Sequence, residues 1–159
     1  MSIRKIKTGP KNPVLRKKAE TVKQITPEVT EVISDMIDTL EHSDTISSTG
    51  IGLAAPQIGR SWRIIIIRLN STRKPTVFIN PVVIKASKRT LADTEACLSL
   101  PGIFIPVKRS VQITLEAQNE RGEPVKLEAR DMIARVIQHE TDHLEGILIT
   151  DYAVKVETK

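Results

Sequence analysis

A chain of 159 residues with 40% hydrophobic and 27% charged side chains has the size and balance of one globular domain spanning residues 1–159. Aromatics are only 3%, so the core must be built from Ile, Val, Leu and Ala, and a base-stacking nucleic-acid surface is excluded. The net charge of +5 is spread along the chain, with Arg16-Lys17-Lys18 as its compact run, and does not predict sequence-specific nucleic-acid binding. A single cysteine, Cys97, rules out an internal disulfide and points to a reducing, cytoplasmic compartment. The basic start, Met1 to Lys7, lacks the long apolar region of a secretory signal, and no apolar run reaches membrane-spanning length.

Residues 9–24, rich in Pro, Gly and Lys, read as an irregular lead-in. Thr26 is an N-cap with Pro27 at the first helical position, and Val29, Val32, Ile33, Met36, Ile37 and Leu40 recur at helical spacing. Glu41 to Gly50 is polar and reads as a loop. The stretch Gly50-Ile51-Gly52-Leu53-Ala54-Ala55-Pro56-Gln57 has glycines that let another backbone approach closely, and it lacks the residues of a phosphate loop or a dinucleotide fingerprint. Trp62 to Leu69 is a strand. Thr76 to Asn80 and Val82 to Ala86 are two more, separated by Pro81. Leu91 to Leu100 carries Cys97. Val111 to Ala117 alternates with period two, and Val125 to Glu128 pairs back on it through the turn Asn119 to Gly122.

The last helix is expected from about Asp131 to Leu144, with Gly146 as its stop. Met132, Val136, His139 and His143 form one stripe and Ile133, Ile137, Glu140 and Leu144 the next, both facing inward; Arg135, Gln138 and Asp142 should be wetter or engaged in supporting bonds. The fold class is therefore α+β: antiparallel sheets packed around a central motif helix, plus an N-terminal helix.

That motif is His139-Glu140-Thr141-Asp142-His143, two imidazoles one turn apart that can bind one metal ion, with a Glu placed to act on water. A hydrolytic site needs a third protein ligand. Ile149 stands where one class of such sites carries a further His, and only Asp151, Glu157 and a short tail remain for a downstream carboxylate. The ligand is thus sought upstream, in Cys97 or His42. Cys97 is preferred because a thiolate is a strong ligand and Glu95 to Gly102 is a charged, turn-rich setting. His42 reads as a surface histidine.

Gly50 to Gln57, Glu95-Ala96-Cys97-Leu98-Ser99 and Gln138 to His143 together resemble the three signature motifs of peptide deformylases, in order and approximate spacing, with Asn12 to Arg16, Ile79-Asn80-Pro81 and Pro101-Gly102 as weaker matches. The resemblance implies a hydrolase that removes the N-formyl group from formyl-Met at the start of newly made polypeptides. It implies Cys97, His139 and His143 as ligands of one divalent ion, Fe²⁺ with Zn²⁺ or Ni²⁺ able to occupy the site, and Glu140 as acid–base residue. It further implies that the Gln57 amide and the Leu98 backbone N–H face the oxyanion, that Gly50, Ile51, Gly52 and Leu53 bind the extended peptide, and that Ile51, Val136 and His139 receive the Met side chain. Nascent formyl-Met chains and a weak contact with the ribosome are the implied partners. Ala96 stands where the family usually has Gly, and that change is tolerable unless the position needs a positive φ. The rival expectations are a metallopeptidase cutting internal bonds and a non-catalytic, ribosome-associated homologue.

Overall fold

Four consecutive isoleucines, Ile64 to Ile67, are fully buried. In a strand, neighbours point to opposite faces, so such a run needs cover on both sides. The computed structural model, which describes residues 2–43, 51–70 and 74–153, supplies that cover with two helices. Ile64 and Ile66 pack with the apolar stripe of α2 (Pro27–Ser43), namely Val29, Val32, Ile33, Met36, Ile37 and Leu40. Ile65 and Ile67 pack with Ala134, Ile137 and Leu144 of the motif helix. Each fully buried Ile contributes about 1.5–3 kcal/mol relative to exposure.

The chain begins with a lead-in broken by a four-residue helix, α1 (Pro13–Arg16), capped by the Asn12 side chain. Then come α2, β1 (Gly52–Ala54), a 3₁₀ turn at Ala55–Ile58, β2 (Ile64–Ile67), β3 (Thr76–Ala86), β4 (Thr90–Cys97), β5 (Leu100–Ser110), β6 (Gln112–Gln118), β7 (Pro124–Arg130) and α3 (Asp131–Leu144), with a last 3₁₀ turn at Ile149–Tyr152. β1-β2-β3-β6-β7 form one antiparallel sheet; β4 and β5 form a separate two-stranded ribbon. A third apolar cluster, Leu15, Cys97, Leu100, Val107, Leu148 and Ile149, lies under that ribbon.

Most expected elements are present. Thr26 does cap α2, its Oγ1 accepting from the Val29 N–H at 3.3 Å, and the helix runs on through Ser43. Residues 44–50, the rest of the expected loop and Gly50 with it, lie outside the described residues. The Trp62 to Leu69 strand is shorter than its apolar run, with Trp62 making only an isolated bridge to Glu20. The glycine stretch supplies three residues of strand at the sheet edge. Two expected strands are one: β3 passes through Pro81, because the register shifts between Ile79 and Val82 and the missing N–H falls at the irregularity. Asn80 takes a positive φ of 52° there, and its side-chain amide pins the lead-in by bonding both Val22 N–H (2.9 Å) and Val22 C=O (2.8 Å). β5 was hidden by Pro101, Gly102 and Pro106; the first two fall at the ribbon's irregular register beyond Glu95, and Pro106, opposite Thr94, lies on a strand with only one neighbour in its sheet.

Gly146 ends α3 as expected, at φ +73°; a side chain there would also collide with the Arg16 carbonyl. The predicted stripes on α3 need two corrections. Met132, in the first turn, is 52% exposed. Arg135, placed on the opposite side and expected to be wetter or engaged in supporting bonds, is buried and so engaged, but it lies one turn before His139, at i−4, and shares its face.

Candidate metal centre

α3 carries His139 and His143 to the end of β4, where Cys97 closes the ribbon. One donor atom from each lies within 4.8 Å of the others, and Cys97 Sγ is 3.4 Å from His143 Nε2. His42, the other upstream candidate, is in the last turn of α2 and is not part of this cluster. Thiolate and imidazole donors suit a borderline or soft divalent ion.

The cluster is oriented by Glu95, two residues before Cys97. Its carboxylate accepts from His139 Nδ1 at 2.8 Å, Arg109 Nε and Nη2 at 2.9 Å each, and Arg135 Nη1 at 2.6 Å. Burial pushes the Glu95 carboxyl up, but the His139 and Arg109 hydrogen bonds outweigh it and hold its pKa at about 2. A carboxylate is acceptor-only, so His139 donates through Nδ1, and Nε2 is the atom turned to the cluster, where a metal ion would take the place of its proton. Arg109 also donates to Asp142 at 2.6 Å, and the Tyr152 hydroxyl donates to the same oxygen at 2.6 Å while its ring lies 4.8 Å from the Arg109 guanidinium. Asp142, left open by sequence between a supporting and a solvated role, is thus supporting, as is Glu95.

Electrostatics at the cluster favour a cation. Burial opposes protonation of His139, yet the hydrogen bonds to Cys97 and Glu95 raise its pKa to about 10. Burial holds His143 well below the usual imidazole range, in the neutral, ligating form. Glu140 is buried and Oε2 has no partner among the described residues; burial raises its carboxyl to about 7 despite the opposing pull of His139. The residues therefore fit a metal ion: three convergent donors, one of them a thiol, beside a carboxyl with spare acceptor capacity.

β1 comes close to α3 because residue 52 has no side chain. A Cβ on Gly52 would stand 2.9 Å from Val136 Cγ1 and 3.0 Å from Glu140 Cγ. β1 ends the sheet, so its outer edge has no strand beside it among the described residues. Ile51, Gly52, Val136, His139 and Glu140 line a cavity of about 140 Å³, and Leu53 turns its side chain into the α2 core instead. From the 3₁₀ turn, Gln57 accepts the Ala54 N–H at 3.0 Å through Oε1, which aims Nε2 at Ser99 Oγ (3.1 Å) and Cys97 Sγ (3.6 Å). Leu98 occupies the turn directly after Cys97. Ala96 also lines the cavity and has no positive φ, so nothing in its backbone requires glycine. Sequence reasoning missed Asp93 on the cavity wall and Tyr152 on Asp142, the first on a strand far in sequence from the motif and the second in the 3₁₀ turn that follows it, whereas Met132, read on the stripe with His139, does line the cavity.

An α+β frame that brings one Cys–His–His cluster against a buried carboxyl defines a metal-dependent hydrolase. Comparison gives its family. A family model described as polypeptide deformylase matches residues 3–159. A peptide deformylase from Dictyoglomus turgidum is 44% identical over 158 residues, covering 99% of this chain and 95% of its own. The crystal structure of peptide deformylase from Thermotoga maritima superposes with TM-score 0.87 at 38% identity, covering 97% of this chain and 99% of that one. A peptide deformylase from Synechococcus elongatus, solved in complex with actinonin, gives TM-score 0.86 at 35% identity, covering 95% and 79%. The chain belongs to the polypeptide deformylase family. It is an enzyme that removes the N-formyl group from newly made polypeptides, and the peptidase and non-catalytic readings fall away.

Proposed function

We propose that Cys97, His139 and His143 hold one divalent ion, Fe²⁺ in the cell with Zn²⁺ or Ni²⁺ able to replace it, and that Glu140 moves the proton in hydrolysis of formyl-Met. The observation that carries this is the convergence of the three donors within 4.8 Å beside a buried, unpartnered carboxylate oxygen. Such an ion supplies Lewis acidity, which makes water a nucleophile near neutral pH and polarises a carbonyl. Glu140, with its pKa raised to about 7 by burial, takes the proton from water and returns it to the leaving amine. The Gln57 amide, locked by Ala54, and the Leu98 N–H stabilise the oxyanion that forms on the formyl oxygen; such a donor is typically worth about 2.7–4 kcal/mol. Gly50, Ile51, Gly52 and Leu53 bind the extended peptide, which pairs with the open edge of β1, and the Met side chain enters the cavity between Ile51 and Val136.

In this reading residues 1–159 are one catalytic domain acting in the cytoplasm on nascent chains, with weak contact to the ribosome. The free thiol at the centre supports a reducing compartment. No helix among the described residues is long and apolar enough to cross a membrane. X-ray absorption of the zinc-loaded protein tests the ligand set: one sulfur at about 2.3 Å and imidazole nitrogens at about 2.0–2.1 Å are expected. An all-nitrogen and oxygen shell would remove Cys97 from the centre.

A further inference from the structure

Asp93, Met132 and Arg135 line two cavities at once. One is the cavity of about 140 Å³ beside His139 and Glu140. The other, of about 260 Å³, runs along Leu91, Ser110 and Val111. Of the three shared side chains, Met132 and Asp93 are exposed and Arg135 is buried. The Arg135 guanidinium is tied down on the ribbon side, donating to Leu91 C=O at 2.6 Å, Val107 C=O at 2.8 Å and Glu95 at 2.6 Å. An arginine held by its head group commonly offers its methylene stem as the apolar part of the surface it lines.

We propose that Arg135 is the partition between these cavities and thereby sets the length of the first side chain that the enzyme accepts. The inference rests on the reading that the smaller cavity receives that side chain. A cavity of about 150 Å³ holds one benzene-sized apolar group, so this one suits a single unbranched chain of methionine's bulk. A longer chain meets the Arg135 stem. Shortening that stem joins the two cavities and gives the longer chain somewhere to go. Glu95 keeps Arg109 and His139 as partners when Arg135 is replaced, so the support of the metal ligand persists. A position that tells chain lengths apart by fit separates substrates by roughly 10–200-fold per methylene.

The test is the ratio of kcat/KM for a formylated peptide beginning with octylglycine to that for formyl-Met-Ala-Ser. Taken on one preparation, the ratio cancels the fraction of active enzyme. Arg135→Ala should raise it about tenfold or more over the native protein, and Arg135→Lys, which keeps the stem, should leave it at the native value. Arg135→Gln, shorter but still a donor, replaces Arg135→Ala if that variant does not fold, and should shift the ratio in the same direction. Val136→Phe, which fills the cavity from the opposite wall, should depress turnover of formyl-Met-Ala-Ser. An unmoved ratio in the folded shortened variant, with Val136→Phe impaired, overturns the role of Arg135 and spares the cavity assignment. If neither substitution has its effect, the cavity assignment itself is wrong and the partition falls with it. A ratio that rises as much in Arg135→Lys as in the shortened variant overturns the stem as the partition.

Discussion

Glu95 carries more of the centre than its place in the sequence suggests: one buried carboxylate accepts four hydrogen bonds, from His139, Arg109 and Arg135. Glu95→Gln replaces an acceptor by an amide that must turn a donor towards these cations, and loss of such a supporting partner costs about 10–100-fold in metal affinity. Competition with a chelator, with Glu140→Gln as a variant that keeps the ligand support intact, measures it. Cys97→Ala should abolish stoichiometric metal binding, read as metal per chain after gel filtration. Gln57→Leu should lower kcat by about 10²–10³ with the metal retained, since its amide is aimed by Ala54 and not by the ion. At this scale the Cys97–His139–His143 cluster and the Glu140 beside it were legible because helical spacing and the chemistry of thiol and imidazole are local facts. Arg135 was misplaced although it stands four residues before His139. Its role depends on Leu91, Val107 and Glu95, which only the ribbon brings to it.

Elements succeed or fail here by how they meet. β1 can lie against α3 only because Gly52 has no Cβ, and Gly52→Ala would press on Val136 and Glu140. Overpacking of this kind typically costs about 1–3 kcal/mol, and turnover should fall further than stability does because Glu140 is one of the atoms displaced. Denaturant midpoints and formate release on the same variant separate the two. In β2, Ile66→Ala should cost about 2–5 kcal/mol with an unchanged denaturant slope, since the site is buried against α2 and cannot be reached by water. α2, α3 and β6–β7 could be read from sequence because their periodicity is their own. β3 and β5 could not: Pro81 and Pro106 look like breaks until a shifted register or an edge position removes the need for their N–H.

Across the whole molecule, the lead-in binds the parts that carry the site. Lys7 N–H donates to the Gln57 carbonyl, Gly9 N–H to that of Ser99, and Ala19 N–H to that of Leu144, so one extended segment touches the 3₁₀ turn, the ribbon and the end of α3. Asn80 anchors the same segment at Val22. Stability should depend on pH through the centre. Glu95 titrates at about 2 in the folded protein against its ordinary 4.5, so its charged form favours the fold. That contribution is complete above about pH 4.5 and is lost as pH falls towards 2. Thermal midpoints of metal-free protein should therefore fall over that window, and fall less in Glu95→Gln. The central claim, that this centre performs deformylation through Glu140, is tested most directly by formate released from formyl-Met-Ala-Ser per bound metal ion, for the native protein and Glu140→Gln side by side. The prediction is equal metal content and a loss of about 10²-fold or more in turnover for the variant. Near-native turnover by metal-loaded Glu140→Gln would contradict it.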